Sequence, residues 1–191
     1  MQLTRYAMYQ DIGRVLGGPI RGRVLGVSGI EKFRPLIDPS ADMLETTYPE
    51  VDLLDLPFSA ESFDAVISDQ VLEHLADPRR AMQEACRVLR PGGLAVYTTC
   101  FLNPVHPRPR DYFRFSVDGL EALCPPDAQI LRCHAWGNRA ALILLLLRDR
   151  MRTIDIPERS GVRRWLATRN EAKYPIVTWI LMRKRGQHDD V

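Results

Sequence analysis

The stretch SFDAVISDQVLEHLADPRRAMQEACRVLRPGGLAVYTTC, residues 62–100, places a helical pattern between two apolar runs. Residues 63–68 and 94–100 are short, apolar and rich in β-branched side chains, which predicts two buried strands. Between them, apolar residues recur at helical spacing over 72–89, in two pieces that meet near Asp77-Pro78. A strand, a helix and a second apolar strand in this order indicate a parallel sheet with helices on both faces.

The segments on either side extend this sheet. Residues 23–27 (RVLGV) predict an earlier buried strand that ends in a tight turn at Ser28-Gly29. Only six residues separate this strand from Arg34, whereas a crossover that contains a helix takes roughly ten or more. Apolar runs at 130–136 and 176–182 predict two late strands that form an antiparallel edge. The predicted fold class is α/β, mostly parallel, with the first crossover helix missing.

The 191 residues contain no repeat, low-complexity tract or Gly/Ser linker, so we predict one domain over 1–191. Residues 1–20 contain a short amphipathic lead-in helix, and residues 140–170 form a helical excursion before the last strand. The arginine-rich tract over 148–169 is either a solvated face or a surface that docks an anionic substrate or a membrane.

Composition excludes several classes of protein. The 26 Lys and Arg nearly balance the 24 Asp and Glu, so no overall field favours a nucleic acid. The longest apolar run, residues 140–147, is too short for stable membrane insertion, which needs about 20 residues. The four cysteines form no C-x-x-C pair, which favours reduced thiols in a cytoplasmic protein over a zinc knuckle. No cluster of metal ligands is evident, and no metal is expected.

Acidic residues follow several predicted strands. Asp38 follows the apolar segment 35–37, Asp52 precedes Leu53, and Asp69 follows the strand at 63–68. Ligands of open α/β sheets bind at the carboxyl ends of the strands. Carboxylates there suit a ligand with hydroxyl and amino groups, such as a ribose or an adenine.

Three segments resemble the class I S-adenosylmethionine-dependent methyltransferases, in the branch that acts on diverse small substrates. They are DLLDLPF (52–58), SFDAVISDQVLEHL (62–75) and RVLRPGG (87–93). The resemblance implies a Rossmann-like fold with S-adenosylmethionine as cofactor. It also implies direct transfer of a methyl group to an oxygen or nitrogen atom of a small-molecule polar acceptor, without a metal.

The resemblance also implies which residues hold the cofactor, and all of them follow or border predicted strands: Ser28, Gly29, Asp38, Asp52, Leu53, Asp69 and Gln70. The turn Ser28-Gly29 would approach the methionine portion. Asp38 would take the ribose hydroxyls, and Asp52 with Leu53 would border the adenine. Asp69 and Gln70 would lie beside the sulfonium.

The first turn departs from the family pattern, because residues 26–30 read GVSGI instead of G-x-G-x-G. With the crossover helix missing, no helix N-terminus faces the carboxylate of the cofactor, and Arg34 is a candidate to pair with it. The alternative function is therefore a catalytically inactive methyltransferase-like protein that serves in binding or assembly. An oxidoreductase on the same sheet fits the motifs less well.

Residues 103–116, NPVHPRPRDYFRFS, are similar to the substrate-side segment of that branch. His106 is the candidate general base, and Asp111 would orient or replace it. Tyr112 and Arg114 would either contact the substrate or brace the loop. His74 is interpreted as the start of a helix. Little chain is left for a lid, so either the acceptor site is open or a second copy closes it as a homo-oligomer.

Overall fold

The computed structural model describes residues 3–107, 109–147, 156 and 161–186. The strands of its sheet are β1 (Arg23–Val27), β2 (Asp42–Thr46), β3 (Phe63–Asp69), β4 (Leu89–Cys100), β5 (Ala128–Trp136) and β6 (Val177–Lys184). The helices are α1 (Tyr6–Leu16), α2 (Pro78–Val88), α3 (Val117–Glu121), α4 (Arg139–Leu147) and α5 (Val162–Thr168), with 3₁₀ turns at Glu31–Leu36 and Leu72–His74.

The sheet has the order β2-β1-β3-β4-β6-β5. Its first four strands are parallel, and β6 is antiparallel to both β4 and β5. This arrangement confirms the predicted α/β class with a mostly parallel sheet and an antiparallel C-terminal edge. It also means that β1, β2, β3 and β4 all end on the same side, which we call the carboxyl end of the sheet.

The crossover between β1 and β2 holds no α-helix, as the sequence predicts. Its 3₁₀ turn buries the side chain of Phe33. The amide of Phe33 donates to Ile30 O (2.8 Å), and the amide of Ile37 donates to Arg34 O (3.2 Å). The chain then runs back along the start of β1, where Ile37 forms a parallel bridge with Ile20. This compressed path places residues 38–41 at the amino end of the sheet, opposite the ends of β1 and β3.

Helix α2 starts, and helix α1 ends, at residues suited to those positions. The Asp77 side chain accepts a hydrogen bond from Arg80 N (3.0 Å), and Pro78 occupies the first turn of α2. Helix α1 ends at Gly17, whose φ of 68° is the left-handed C-cap conformation. Both helices bury one apolar face, and each fully buried large side chain stabilises the fold by about 1.5–3 kcal/mol.

Helix α1 is fixed to the sheet through a buried polar contact. The hydroxyl of Tyr9 donates to Asp69 Oδ2 at 2.7 Å, and both residues are buried. Burial, and then the charge of Asp69, raise the pKa of Tyr9 far above its usual range. The phenol therefore keeps its proton and remains the donor, so the lead-in helix is tied to the carboxyl end of β3.

The predicted helical excursion over 140–170 contains α4 and α5. Residues 148–155 and 157–160 lie outside the described residues, and these include Arg148, Arg150, Arg152 and Arg159 of the arginine-rich tract. Within the described part of the chain, no helix combines the length and apolar character needed to cross a bilayer.

A glycine between β5 and α4 provides a test of this packing. A Cβ atom at Gly137 would lie 2.0 Å from Tyr174 O and 2.6 Å from Ile176 N, which are backbone atoms that lead into β6. We expect Gly137→Ala to lower the free energy of unfolding by about 1–3 kcal/mol, since the backbone must move apart. Urea denaturation measures the change.

Gly18→Ala is the matched control, because no atom lies within 4 Å of a Cβ at Gly18. We expect its free energy of unfolding to change by no more than about 0.5 kcal/mol. Equal stability of the two variants would contradict the close contact at Gly137.

Candidate functional site

A cavity of about 660 Å³ opens at the carboxyl end of the sheet. This volume lies within the range of about 300–1,000 Å³ that is usual for small-molecule sites. Four segments line it: Val27, Ser28 and Gly29 after β1; Thr47, Tyr48 and residues 51–54 after β2; Gln70, Val71 and residues 74–76 after β3; and Pro109, Arg110 and Tyr112 in the loop after β4. The cavity therefore lies where the ligands of open α/β sheets bind.

The turn after β1 is tight and left-handed. Ser28 has a φ of 56° and Gly29 a φ of 83°, and the amide of Ser28 donates to Thr46 O at 2.8 Å. A non-glycine residue in this conformation stores strain that the surrounding structure must hold in place. The hydrogen bond to Thr46, the last residue of β2, supplies part of that restraint. The backbone of the turn therefore forms part of the cavity wall.

Asp52 and Leu53 form the wall after β2. The carboxylate of Asp52 accepts from the amide of Leu54 at 2.9 Å, and Asp55 N donates back to Asp52 O at 3.1 Å. Leu53 is buried beneath this turn. The compact turn fixes an acidic side chain and an apolar side chain next to each other on one wall of the cavity.

The end of β3 separates two residues that the sequence analysis treated together. Gln70 lines the cavity in a left-handed conformation, with its amide bonded to Thr98 O (2.9 Å) and its Nε2 to Thr98 Oγ1 (3.0 Å). Asp69 lies behind it, bonded to the hydroxyls of Tyr9 and Thr98, with Arg5 Nη1 4.0 Å away. Asp69 therefore anchors the loop that presents Gln70.

The structure does not bring Asp38 to the cavity, which corrects the expectation for this residue. The amide of Asp38 donates to Ile20 O at 2.8 Å, next to the start of β1. Its carboxylate accepts from the amide and hydroxyl of Ser40 and from Arg21, and these hydrogen bonds lower its pKa. The reason is the compressed crossover, because Asp38 precedes β2 and therefore lies at the amino end of the sheet.

Asp111 and Arg114 brace the loop after β4. The Arg114 guanidinium pairs with both carboxylate oxygens of Asp111 and also donates to the carbonyls of Asn103 and Pro104. The Asp111 side chain is only 2% exposed and also accepts from His106 N. Hydrogen bonding to Arg114 holds the pKa of Asp111 well below its usual range, despite desolvation. Asp111 is thus bound on several sides and unsuited to take up a proton.

His74, rather than His106, lines the cavity. Its Nδ1 is hydrogen-bonded to the carbonyl of Arg110, and its ring packs edge-on against His106 with the centroids 4.9 Å apart. His106 lies behind it, with Nδ1 3.0 Å from Pro104 O. Tyr112 also lines the cavity, and its hydroxyl accepts from Arg110 at 3.3 Å. The sequence predicts a structural place for His74 at the start of a helix, whereas it is the last residue of the 3₁₀ turn Leu72–His74 and lies on the cavity wall.

A buried group of potential ligands lies beside these histidines. Glu73 is fully buried, its Oε2 accepts from the Thr99 hydroxyl at 2.8 Å, and its Oε1 has no hydrogen-bond partner. Ligand atoms of Glu73, Cys100 and His106 all lie within 4.8 Å of one another. Burial and the nearby Glu73 raise the pKa of Cys100 to about 12. No such cluster was evident in the sequence.

Residues 20–97 match the model of a family described as a methyltransferase domain. The chain is 34% identical over 106 residues to the O-methyltransferase resE of Aspergillus sclerotiorum, a match that covers 55% of this chain and 40% of that protein. It is 46% identical over 61 residues to the chloroplastic 2-methyl-6-phytyl-1,4-hydroquinone methyltransferase 2 of Oryza sativa subsp. japonica, covering 32% of this chain and 16% of the relative. The matches therefore span less than half of these relatives.

Solved structures share the fold over nearly the whole chain. The putative methyltransferase in complex with the Haloferax volcanii Trm112 activator has a TM-score of 0.59 at 16% identity, covering 95% of this chain and 91% of that one. The Haemonchus contortus phosphoethanolamine N-methyltransferase 2, in complex with S-adenosyl-L-methionine, has a TM-score of 0.56 at 15% identity, covering 94% and 52%. The family model and the relatives thus indicate a methyltransferase domain within residues 20–97, and the solved structures share the fold of nearly the whole chain.

Proposed function

We propose that this protein transfers the methyl group of S-adenosylmethionine to an oxygen or nitrogen atom of a small polar acceptor. The observation that carries the proposal is one cavity lined by Ser28-Gly29, Asp52-Leu53 and Gln70, three segments that follow three different strands. Their convergence supports a site for an elongated ligand with several polar groups.

The residues of the cavity fit the cofactor chemically. Asp52 offers a carboxylate to the adenine amino group, with Leu53 against the ring, and Gln70 lies on the side of the sulfonium. The backbone turn at Ser28-Gly29 faces the methionine portion. Asp38 lies outside this cavity, whereas Thr47, directly after β2, lines it and can offer its hydroxyl to the ribose.

Methyl transfer requires the protein mainly to align the acceptor with the methyl group and to remove a proton. Bound S-adenosylmethionine supplies a methyl group that its sulfonium already activates. The protein must hold the acceptor in line with that group and, where the acceptor is a hydroxyl, take its proton. We assign the role of general base to His74, because the carbonyl of Arg110 accepts a hydrogen bond from Nδ1–H, which leaves Nε2 as the acceptor of the ring.

Phenols and quinols are the first acceptor class to examine. The relatives include a hydroquinone methyltransferase and an O-methyltransferase, and the hydroxyl of such an acceptor is a proton donor that a histidine base can serve. Tyr112, which is 43% exposed and lines the cavity, supplies an aromatic surface against which a flat acceptor can pack.

One observation favours the alternative, a protein that binds but does not catalyse. The missing crossover helix leaves no helix N-terminus beside the cofactor's carboxylate. Arg34, the suggested replacement, is engaged in an ion pair with Glu45 on β2. The alternative predicts that S-adenosylmethionine either does not bind or binds without turnover of any acceptor.

Asp52 provides the first test of the cofactor site. We expect Asp52→Asn to weaken S-adenosylmethionine binding at least tenfold, since a hydrogen bond to a charged group contributes about 1.5–3 kcal/mol. Titration calorimetry on the full chain measures this change. Asp38→Asn is the matched control and should bind with unchanged affinity, because Asp38 lies at the amino end of the sheet. Weaker binding in Asp38→Asn alone would contradict the assignment.

His74 provides the test of catalysis. We expect His74→Asn to lower turnover about 100-fold with hydroxyl acceptors while S-adenosylmethionine affinity is kept, because general-base catalysis contributes at least this factor. Release of S-adenosylhomocysteine, followed across a panel of phenols, quinols and amines, gives the rates.

The control is His134→Asn, because His134 lies on β5 and does not line the cavity. Its ring is hydrogen-bonded to Asn170. It should retain the wild-type rate. Full turnover of a hydroxyl acceptor by His74→Asn would show that another group takes the proton.

A further inference from the structure

We propose that Glu73, Cys100 and His106 form a binding site for a divalent transition-metal ion of the zinc class. The three residues come from different parts of the fold: the 3₁₀ turn after β3, the last position of β4 and the loop that follows β4. Each offers one ligand atom, and these atoms all lie within 4.8 Å of one another. The site is separate from the walls assigned to S-adenosylmethionine.

The surroundings of the Glu73 carboxylate favour a bound cation. Its side chain is completely buried, and although Oε2 accepts a hydrogen bond from Thr99, Oε1 has no hydrogen-bond partner. A buried carboxylate oxygen without a hydrogen bond is rare, because its desolvation is then not offset. The free Oε1 faces His106, whose Nε2 lies 3.9 Å away. A metal ion between these two atoms would neutralise the buried charge.

The backbone holds all three ligands in place before any ion binds. Cys100 is fixed by its pairing with Val177 of β6. The carbonyl of Glu73 accepts from the amides of Tyr112 (2.8 Å) and Phe113 (3.3 Å), which fastens the loop after β4 over the turn. His106 is held through its amide, which donates to Asp111 at 2.8 Å. Such preorganisation is what a specific metal site requires.

The donor set selects the class of metal. A thiolate, an imidazole and a carboxylate are all ligands of Zn²⁺, whereas Mg²⁺ and Ca²⁺ prefer sites made of oxygen alone. Tetrahedral zinc with bonds of 2.0–2.3 Å places its ligand atoms about 3.3–3.8 Å apart. Since the ligand atoms lie within 4.8 Å of one another, binding needs a contraction of at most about 1.5 Å. Three protein ligands leave the fourth position to water or another small ligand.

The site has a route for the ion and a defined position relative to the cavity. The side chain of His106 is 38% exposed, whereas Glu73 and Cys100 are buried, so an ion can enter past the histidine. The ring of His106 packs edge-on against His74, which lines the cavity. A bound ion would thus lie one aromatic ring behind the cavity wall. Among the residues that the structure describes, no second group of this kind is found.

Cobalt absorption tests the proposal on the full chain after removal of metals with a chelator. Co²⁺ reports thiolate ligation through an intense charge-transfer band in the near ultraviolet. We expect wild-type protein to bind one Co²⁺ with this band and to release it to Zn²⁺. Cys100→Ser should lose the band, and Cys100→Ser, Glu73→Gln and His106→Asn should each weaken binding at least tenfold. Cys133→Ser, which changes a half-buried thiol on β5, is the control and should keep both band and affinity.

Several outcomes would overturn the site. They are no saturable binding by the wild type, a band that persists in Cys100→Ser, a band lost in Cys133→Ser, or unchanged affinity in His106→Asn. Circular dichroism confirms that each variant is folded. If Glu73→Gln unfolds, His106→Asn decides, because that side chain is partly exposed. The measurement needs neither S-adenosylmethionine nor an acceptor, so its failure is distinct from failure of the proposed methyl transfer.

Discussion

The parallel pairing of β1 with β2 and β3, and of β3 with β4, is the constraint on which the site depends. It brings the turns after β1, β2 and β3 to one end of the sheet, although they are far apart in the chain. Val27 pairs with both Thr46 and Ser68, so the residues that follow these three positions must converge. The cavity is a consequence of this register rather than of any single motif.

Beneath the cavity, buried carboxylates hold the loops in place. Asp69 links the end of β3 to α1 and β4 through the hydroxyls of Tyr9 and Thr98, and Asp111 ties the loop after β4 to Arg114. Each of these carboxylates is surrounded by donors, as a buried charge must be. Glu73 is the exception, because one of its oxygens lies beside a thiol and an imidazole without a hydrogen bond. This difference is the basis for proposing that Glu73 binds a metal ion.

Much of the fold follows from sequence patterns, whereas the site follows only in part. Periodicity and caps located α2 and the strands around it, but β2 was missed because DMLET is a partly exposed edge strand with no apolar run. Asp38 was misplaced because strand pairing, not local sequence, decides which end of the sheet a residue reaches. His74 fits the start of a helix equally well, so only the fold reveals that it lines the cavity. The contact of Glu73 with His106 is likewise a tertiary effect that no spacing encodes.

We propose that the carboxyl end of the sheet holds S-adenosylmethionine despite the missing crossover helix. Hydrogen–deuterium exchange of the full chain, with and without saturating S-adenosylmethionine, shows which end of the sheet binds the cofactor. We expect slower amide exchange over residues 27–29, 51–54 and 70–75, and no change over residues 20–22 and 38–42 at the opposite end. Unchanged exchange in the first three segments, or protection confined to the amino end of the sheet, would contradict it.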